Sequence, residues 1–100
     1  MSGRLRHLLV AYDVETVTPD GRRRLRKVAQ LCCAHGVRVQ KSVFECVLEI
    51  PEVVRFIDRL VHTIDGRSDS LRIYHLGAAP PRAEIHGTDV TLSPREPLII

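Results

Sequence analysis

The sequence has no tryptophan and few other aromatic residues, with two Phe and two Tyr among 100 residues. The core must therefore be built from aliphatic side chains, for which a hydrophobic content of 44% provides the material. A chain of this length forms one domain that buries roughly two-thirds of the surface exposed by the unfolded chain. Charged residues make up 27%, an ordinary fraction for a soluble globular protein.

Long apolar runs are also missing. No run approaches the ~20 residues that a membrane-spanning helix requires, which argues against a membrane partner. Residues 1–6 lead into a strand pattern rather than into a signal-peptide cleavage site. We therefore expect a cytoplasmic protein.

Cysteine occurs only three times, at Cys32, Cys33 and Cys46. An odd number that includes an adjacent pair does not form a disulfide framework, and the spacing lacks the Cys-x-x-Cys pattern of zinc sites. We expect reduced thiols that fill space in the core. The net charge of +3 is mildly basic, which permits a nucleic acid as a partner but does not require one.

The apolar run of residues 8–12 stands out because it leads directly into Asp13. An uninterrupted run of this length, with no Gly or Pro, is typical of a buried strand. Strands of this kind usually lie in the middle of a sheet when helices flank them. A carboxylate is costly to bury, so a charge at the point where such a strand emerges is a candidate for chemistry. Asp13 is the first candidate site residue.

Two helices are predicted from their start signals and apolar spacing. In the first, Thr18 suits the N-cap, Pro19 the first helical position and Asp20 the positive end of the helix dipole. Gly36 is expected to end that helix. The second opens at Pro51 and carries a six-membered apolar stripe of Val53, Phe56, Ile57, Leu60, Val61 and Ile64.

Alternation of apolar and polar residues predicts the remaining strands. Residues 37–41 and 42–50 form two strands joined by a tight turn or bend, and residues 70–76 form a fourth. Residues 77–82 contain two prolines and predict a stiff loop. Beyond it we expect two short strands at 84–86 and 90–92, and an apolar tail at 97–100.

The predicted order is strand, helix, strand, strand, helix, strand, followed by a C-terminal extension. Because strand–helix–strand crossovers are right-handed, both helices are expected on one face of a four-stranded antiparallel sheet. This is the α+β, ferredoxin-like βαββαβ fold, with its core at residues 1–76. Residues 77–100 form a C-terminal extension that adds one or more strands within the same domain.

The second face of this sheet has nothing to cover it in a chain so small. Both faces of the first strand are apolar, because Leu9 and Ala11 alternate with Leu8 and Val10. A sheet-to-sheet homodimer would bury the second face. The C-terminal extension is then expected to pack at that interface or across it, and a solvent-exposed tail is the alternative.

Five segments, in this order and spacing, carry a resemblance to a known family. They are Ala11-Tyr12-Asp13-Val14, Arg24-Leu25-Arg26-Lys27-Val28-Ala29, Cys33-Ala34-His35-Gly36, Arg38-Val39-Gln40-Lys41-Ser42-Val43-Phe44-Glu45-Cys46 and Asp69-Ser70-Leu71-Arg72-Ile73-Tyr74-His75-Leu76. From residue 7 to about residue 76 the chain resembles the small CRISPR-associated endoribonuclease family. Its members form the central subunit of the spacer-acquisition complex.

The resemblance implies a ferredoxin-like homodimer, in agreement with the prediction from the strand pattern. It also implies that Asp13 is the catalytic residue and, with its symmetry mate, binds Mg2+ between the subunits. Mg2+ is usually held by one or two carboxylates together with water and substrate phosphate. The implied partners are a CRISPR integrase subunit, duplex DNA and single-stranded RNA. In the alternative interpretation, Asp13 only caps a backbone amide at the strand end.

Six basic residues are candidates for contact with nucleic acid phosphates: Arg22, Arg23, Arg26, Lys27, Arg38 and Lys41. Arg72 and Arg82 are further candidates. Phosphate contacts neutralise charge without reading sequence, so we expect binding that tolerates any sequence and weakens strongly with salt. The alternative is that the four basic residues of the first helix only solvate its outer face.

Three functions are compatible with this sequence. The first is a dimeric scaffold that bridges two integrase copies during spacer acquisition. The second is a metal-dependent endonuclease, a phosphodiester hydrolase that cuts single-stranded RNA or duplex DNA through Asp13. One protein can combine both. The alternative is a ferredoxin-like regulatory module for a small ligand, without nuclease activity, although the sequence lacks a glycine-rich ligand loop.

Overall fold

The sheet of this protein has five strands, one more than the four-stranded core that the sequence predicts. The computed structural model describes residues 4–78 and 82–88. In chain order the elements are β1 (Leu5–Asp13), α1 (Pro19–Cys33), β2 (Gly36–Gln40), β3 (Val43–Glu49), α2 (Ile50–Thr63), β4 (Ser70–Leu76) and β5 (Arg82–Gly87). The predicted strand at 90–92, the tail at 97–100 and the two prolines of the predicted loop lie outside the described residues.

The strand order is β2-β3-β1-β4-β5, and every neighbouring pair is antiparallel. This is the ferredoxin-like α+β arrangement with one strand added beside β4. The sequence indicates a strand only at 84–86, whereas the ladder with β4 extends β5 from Arg82 to Gly87. The residues at the ends of β5 are extended because they pair with β4. The alternation of apolar and polar residues within β5 carries no information on that pairing.

Helix α1 begins as predicted and ends differently. Thr18 is the N-cap, and its hydroxyl accepts a hydrogen bond from the N–H of Gly21 at 3.0 Å. Gly36 was expected to terminate the helix, but α1 ends at Cys33 and Gly36 is the first residue of β2. A Cβ at Gly36 would lie 2.1 Å from the carbonyl oxygen of Glu45. Glycine is required there by the close approach of β3.

Both helices pack on one face of the sheet, where the alternate strand residues are buried. The strands contribute Leu8, Val10, Tyr12, Phe44, Cys46, Leu48, Leu71 and Ile73, and the helices contribute Val28, Cys32, Val53, Phe56 and Leu60. Each large aliphatic or aromatic side chain buried here contributes roughly 2 kcal/mol. All three cysteines are free thiols, two of them buried as predicted, while Cys33 is exposed.

The other face of the sheet, termed the open face, carries many apolar side chains and has no described element packed on it. It carries the outward-facing residues of all five strands, in rows set by the strand register: Val37, Glu45, Leu9, Tyr74 and Ala83; Val43, Ala11, Arg72 and Ile85; Val47, His7 and Leu76. Val47 is 42% exposed and Ile85 is 45% exposed. Neither described helix is long and apolar enough to cross a membrane.

Candidate active site at the end of the central strand

Asp13 is the last residue of the central strand β1 and lies at one end of the open face. It pairs with Ser70 of β4 in the ladder, and Ser70 in turn pairs with Gly87 of β5. Asp13 is exposed, and among the described residues its carboxylate has no hydrogen bond or ion pair. Within that part of the chain it does not act as a cap. Its oxygens are available to an external cation.

The backbone on both sides of Asp13 is held in place. The N–H of Tyr12 donates to the carbonyl of Ser42 in the β2–β3 turn at 3.0 Å. Val14, on the other side, is buried in the core. The direction of the Asp13 side chain therefore follows from the backbone of the strand end.

A buried carboxylate lies close to this strand end. Asp69 directly precedes β4, is 0% exposed, and forms the centre of a group termed the Asp69 cluster: Glu15, Arg24, Asp65 and Asp69. Its Oδ2 accepts from the Arg24 Nε at 2.7 Å and from the Asp65 N–H at 2.8 Å. Its Oδ1 accepts from the Glu15 N–H at 3.1 Å and from the Arg24 Nη2 at 3.3 Å. Four donors from three separate segments therefore converge on one side chain.

The four donors also determine the charge of Asp69. Burial raises the pKa of a carboxyl, but the hydrogen bond from Arg24 and those from the N–H groups of Asp65 and Glu15 outweigh it. The pKa of Asp69 is consequently below its ordinary value. Asp69 is ionised at neutral pH and compensates the charge of Arg24.

The backbone of Asp69 connects the cluster to β5. Its carbonyl accepts from the N–H of Thr88 at 2.7 Å. Gly87 has φ +82°, and a Cβ there would lie 2.2 Å from that carbonyl oxygen. Only glycine combines this left-handed backbone with so close an approach. The end of β5 is thus attached to the start of β4, beside Asp13.

Glu15 closes the loop between β1 and α1. Its carboxylate accepts from the N–H groups of Val17 and Thr18 at 3.0 and 3.2 Å, from the Thr18 hydroxyl, and from the Arg24 Nη2 at 3.5 Å. The Thr18 hydroxyl is the main cause of the lowered pKa of Glu15. Since this carboxylate is already occupied, Glu15 is not available as a second ligand beside Asp13.

Two aromatic residues near the strand end, Tyr12 and Phe44, are core residues. The rings of Tyr12 and Phe44 stack at 6.2 Å between centroids, and the Arg38 guanidinium lies 5.1 Å from the centre of the Phe44 ring. Burial raises the pKa of Tyr12. Arg38 is one of the predicted phosphate contacts, and it lies on the helix side of the sheet beside this stack.

Most of the other predicted phosphate contacts have exposed side chains, and only Arg72 is half-buried. Arg22 donates to the carbonyls of Thr16 and Val17 at 3.0 and 3.2 Å, and Arg23 forms an ion pair with Asp20 at 2.9 Å. Lys41 lies in the β2–β3 turn, beside the residue that contacts the backbone of Tyr12. Arg22, Arg23 and Lys41 share the sheet end with Asp13, whereas Arg26 and Lys27 lie further along α1.

A cleft of about 430 Å3 runs between the start of α1 and the end of α2. It is lined by Arg23, Arg24, Lys27 and His62, with Asp20 at its rim. Its basic lining suits a phosphate group. Arg24 therefore faces two environments, because the same guanidinium that binds Asp69 also borders this cleft.

Sequence reasoning missed the roles of Asp69 and Arg24. In the sequence, Asp69 and Arg24 each stand only as part of a segment that carries the family resemblance. A signal was present, because Arg24 stands between Gly21 and Val28 on the buried side of α1. A cation on that side of an amphipathic helix needs a compensating partner.

Another charged group lies away from this end, next to β5. His75 is buried, its Nε2 is 2.5 Å from the Glu84 Oε2, and its Nδ1 has no hydrogen-bond partner in the described residues. Burial raises the pKa of Glu84, but His75 outweighs it and the net shift is downward. The pair lines a cleft of about 480 Å3 under Val54 and Ile57 of α2.

The described residues contain no group of three or more His, Cys, Asp or Glu side chains that could hold a metal ion. Asp13 offers one hard oxygen ligand per chain, and its neighbour Glu15 is engaged. This donor set suits a weakly coordinated hard cation shared with a second carboxylate, and does not suit a complete site within one chain.

The described residues thus form a ferredoxin-like α+β sheet with one open face and, at its end, the Asp13 carboxylate, which has no partner among them. The sequence profile of the family described as CRISPR associated protein Cas2 matches residues 6–80. The chain belongs to this family, as the resemblance in its sequence predicted.

Individual relatives agree with this assignment. The CRISPR-associated endoribonuclease Cas2 1 of Moorella thermoacetica is 44% identical over 95 residues, which cover 94% of this chain and 99% of that protein. The CRISPR-associated endoribonuclease Cas2 of Chlorobaculum tepidum is 49% identical and covers 71% of this chain and 74% of its own. The crystal structure of Streptococcus pyogenes Cas2 at pH 6.5 matches with a TM-score of 0.66 and 54% identity, over 71% of this chain and 86% of that one.

Proposed function

We propose that this protein is a metal-dependent endonuclease that works as a sheet-to-sheet homodimer through Asp13. Its relatives from Moorella thermoacetica and Chlorobaculum tepidum are named endoribonucleases, and that from Halalkalibacterium halodurans an endonuclease. The observation that carries the proposal is the exposed Asp13 carboxylate at the rim of the open face, which has no partner in residues 4–78 and 82–88. Family membership favours this function over a small-ligand regulatory module.

The dimer follows from the open face. Leu9, Ala11 and Val43 lie at its centre, and burying them against a second copy removes apolar surface from water. In such a pairing the Asp13 of the second copy supplies the second carboxylate, which the described residues of one chain do not provide beside Asp13. Two facing carboxylates repel each other, so the site calls for a divalent cation such as Mg2+.

Each part of the site has a distinct task in phosphodiester cleavage. Asp13 holds the cation, which when bound activates water and neutralises charge on the phosphodiester. Arg22, Arg23 and Lys41, at the same sheet end, contact phosphates on either side of the bond to be cut. Because these contacts carry charge but read no base, the enzyme accepts RNA or duplex DNA without sequence preference.

The same dimer suits a second role in CRISPR adaptation. A symmetric molecule with basic helix surfaces can bridge two integrase subunits and support the duplex between them. This role requires the dimer and its exposed basic residues Arg22, Arg23, Arg26 and Lys27, but not the carboxylate of Asp13. The two roles therefore separate by mutation.

Asp13→Asn tests the nuclease. It keeps the shape of the side chain and removes its charge, so we expect cleavage of single-stranded RNA and duplex DNA with Mg2+ to fall by about 100-fold or more. The control is Asp58→Asn, which neutralises an exposed carboxylate on α2, away from the sheet end that carries Asp13. Cleavage by Asp13→Asn at the wild-type rate would refute the proposal. Spacer acquisition by the same variant in cells is expected to persist if the scaffold is independent of hydrolysis.

A further inference from the structure

The position of Asp13 depends on groups that are not in the site itself. The Asp13 carboxylate has no partner among the described residues, so its place is set by the backbone of β1 and of the residues that follow. Val14 is buried, and the next N–H, that of Glu15, donates to the Asp69 Oδ1. Asp69 also directly precedes Ser70, the ladder partner of Asp13. The Asp69 cluster is therefore connected to the backbone near Asp13 on both strands, through Glu15 after β1 and through Ser70 of β4.

We propose that Asp69, held by Arg24, is a positioning residue that aims Asp13 at the divalent cation. This inference rests on the proposed function and names the group that prepares its site. Asp69 touches neither substrate nor metal. It acts through the backbone, by fixing the loop of Glu15 against the start of β4.

The geometry shows why a carboxylate is needed at this position. All four groups that contact its oxygens are donors: the Nε and Nη2 of Arg24 and the N–H groups of Glu15 and Asp65. An amide of the same shape must direct its own NH2 group at one pair of these donors. Asp69→Asn therefore loses contacts on one side whichever way the amide is turned. The loop that follows Asp13 is released although the volume of the side chain is unchanged.

The cluster also joins parts of the chain that no local interaction could join. Arg24 comes from α1, Asp65 from the start of the α2–β4 loop, and Thr88 follows β5 and donates to the Asp69 carbonyl. The charge of Asp69 is fully buried, so it stays only where these donors are in place. The cluster is formed only when α1, β4 and β5 have the arrangement that presents Asp13 at the rim of the open face.

The experiment compares wild type, Asp69→Asn, Asp13→Asn and the control Asp58→Asn, which neutralises an exposed carboxylate on α2. The first readout is the affinity for Mn2+ alone, measured by calorimetry on the dimer. We expect Asp69→Asn to weaken it at least tenfold and Asp58→Asn to leave it unchanged. The second readout needs no metal: exchange of the Glu15 amide hydrogen, followed by NMR, is expected to accelerate at least tenfold in Asp69→Asn.

Steady-state kinetics distinguish a positioning role of Asp69 from a purely structural one. In Asp69→Asn we expect kcat to fall at least tenfold and KM for RNA to change much less, since the proposed phosphate contacts Arg23 and Lys41 do not touch the loop that Asp69 holds. Arg24→Gln in the Asp69→Asn background places an acceptor near the former Arg24 Nε, opposite the new amide, and is expected to recover part of the Mn2+ affinity. Arg24→Lys keeps the charge pair and loses the bidentate hydrogen bonds to Asp69. If Asp69→Asn folds too poorly, Arg24→Lys is expected to show an intermediate loss of Mn2+ affinity.

The outcomes also separate this inference from the proposed function. If Asp13→Asn loses Mn2+ binding while folded Asp69→Asn and Arg24→Lys bind it as wild type does, the positioning role is refuted and the nuclease site stands. If Asp13→Asn binds Mn2+ with wild-type affinity, the proposed site is wrong, and the positioning role is refuted with it.

Discussion

Asp69 carries a negative charge in a place that water does not reach. Burial of a single carboxylate is unfavourable by several kcal/mol unless hydrogen bonds and an opposite charge replace water. Arg24 and the two backbone N–H groups supply both, and they lower the pKa of Asp69 below its ordinary value. A group whose pKa is lowered in the folded protein stabilises it above the unfolded pKa.

The first residue-scale prediction is a pH dependence of stability. Asp69 stabilises the fold at pH 7, and this contribution is lost as the pH falls below about 4, through the folded pKa, because the unfolded chain then binds the proton more readily. Replacing Asp69 with Asn is expected to destabilise the protein by about 3 kcal/mol at pH 7. Urea denaturation of both proteins between pH 7 and pH 3 measures the difference, which should shrink on acidification. A difference that stays constant would contradict the prediction.

The residue scale also shows what a local pattern can and cannot reveal. Asp13 could be proposed as a site residue from the sequence because its signal, a charge that ends an apolar run, lies within six consecutive residues. Asp69 was missed because Arg24 and Glu15 lie 45 and 54 positions away in the chain. An interaction between such distant residues leaves no periodicity for a sequence pattern to detect.

Among the elements, α1 depends on a small group at its start. The Thr18 hydroxyl accepts from the Gly21 N–H and donates to the Glu15 carboxylate, so it connects the helix to the loop after Asp13. A Cβ at Gly21 would lie 1.9 Å from the Glu15 Oε1. The helix start and this loop therefore fit together only with glycine at that position.

Thr18→Ala tests this arrangement at the scale of the element. It removes the cap of Gly21 and one partner of Glu15, and we expect a loss of about 1 kcal/mol in the free energy of unfolding. Thr18→Ser keeps the hydroxyl and is expected to lose at most a few tenths of a kcal/mol. Chemical denaturation at pH 7 gives both values. Equal stability of the Ala variant and the wild type would show that the cap contributes nothing.

The elements were predictable to different degrees for one reason. Helix α2 was predicted from its apolar stripe, because Val53, Phe56 and Leu60 face one core at helical spacing. The prediction for Gly36 was wrong, because glycine is needed there to make room for the carbonyl of Glu45 across the β2–β3 pair. Spacing along one segment can be read locally, whereas contact between two segments cannot.

At the scale of the whole molecule, the proposed function depends on the open face. Its apolar residues Leu9, Val47 and Ile85 belong to three different strands, and the register places them on one surface. A face of this kind on a small protein marks an interaction site. In our proposal a second copy covers it and completes the pair of Asp13 carboxylates.

Leu9→Lys tests the homodimer. Leu9 lies between Glu45 and Tyr74 at the middle of the open face, and two lysines brought together there are desolvated and repel each other. We expect the dimer Kd, measured by sedimentation equilibrium, to rise about 100-fold or more, and Mn2+ affinity to fall with it. The control Val54→Lys places the same charge on the far side, at a position that is 73% exposed on α2. Equal dimerisation of Leu9→Lys and wild type would contradict the sheet-to-sheet arrangement.

The sequence by itself determined the ferredoxin-like order of elements, the location of both helices, the family and the exposed position of Asp13. Each of these depends on residues close together in the chain, whose spacing reflects a helix or a strand directly. Only the tertiary structure decided that β5 joins β4, that Asp69 and Arg24 form a buried pair, and that Glu15 is already occupied beside Asp13. These features arise from contacts between distant segments, and the fold alone brings such segments together.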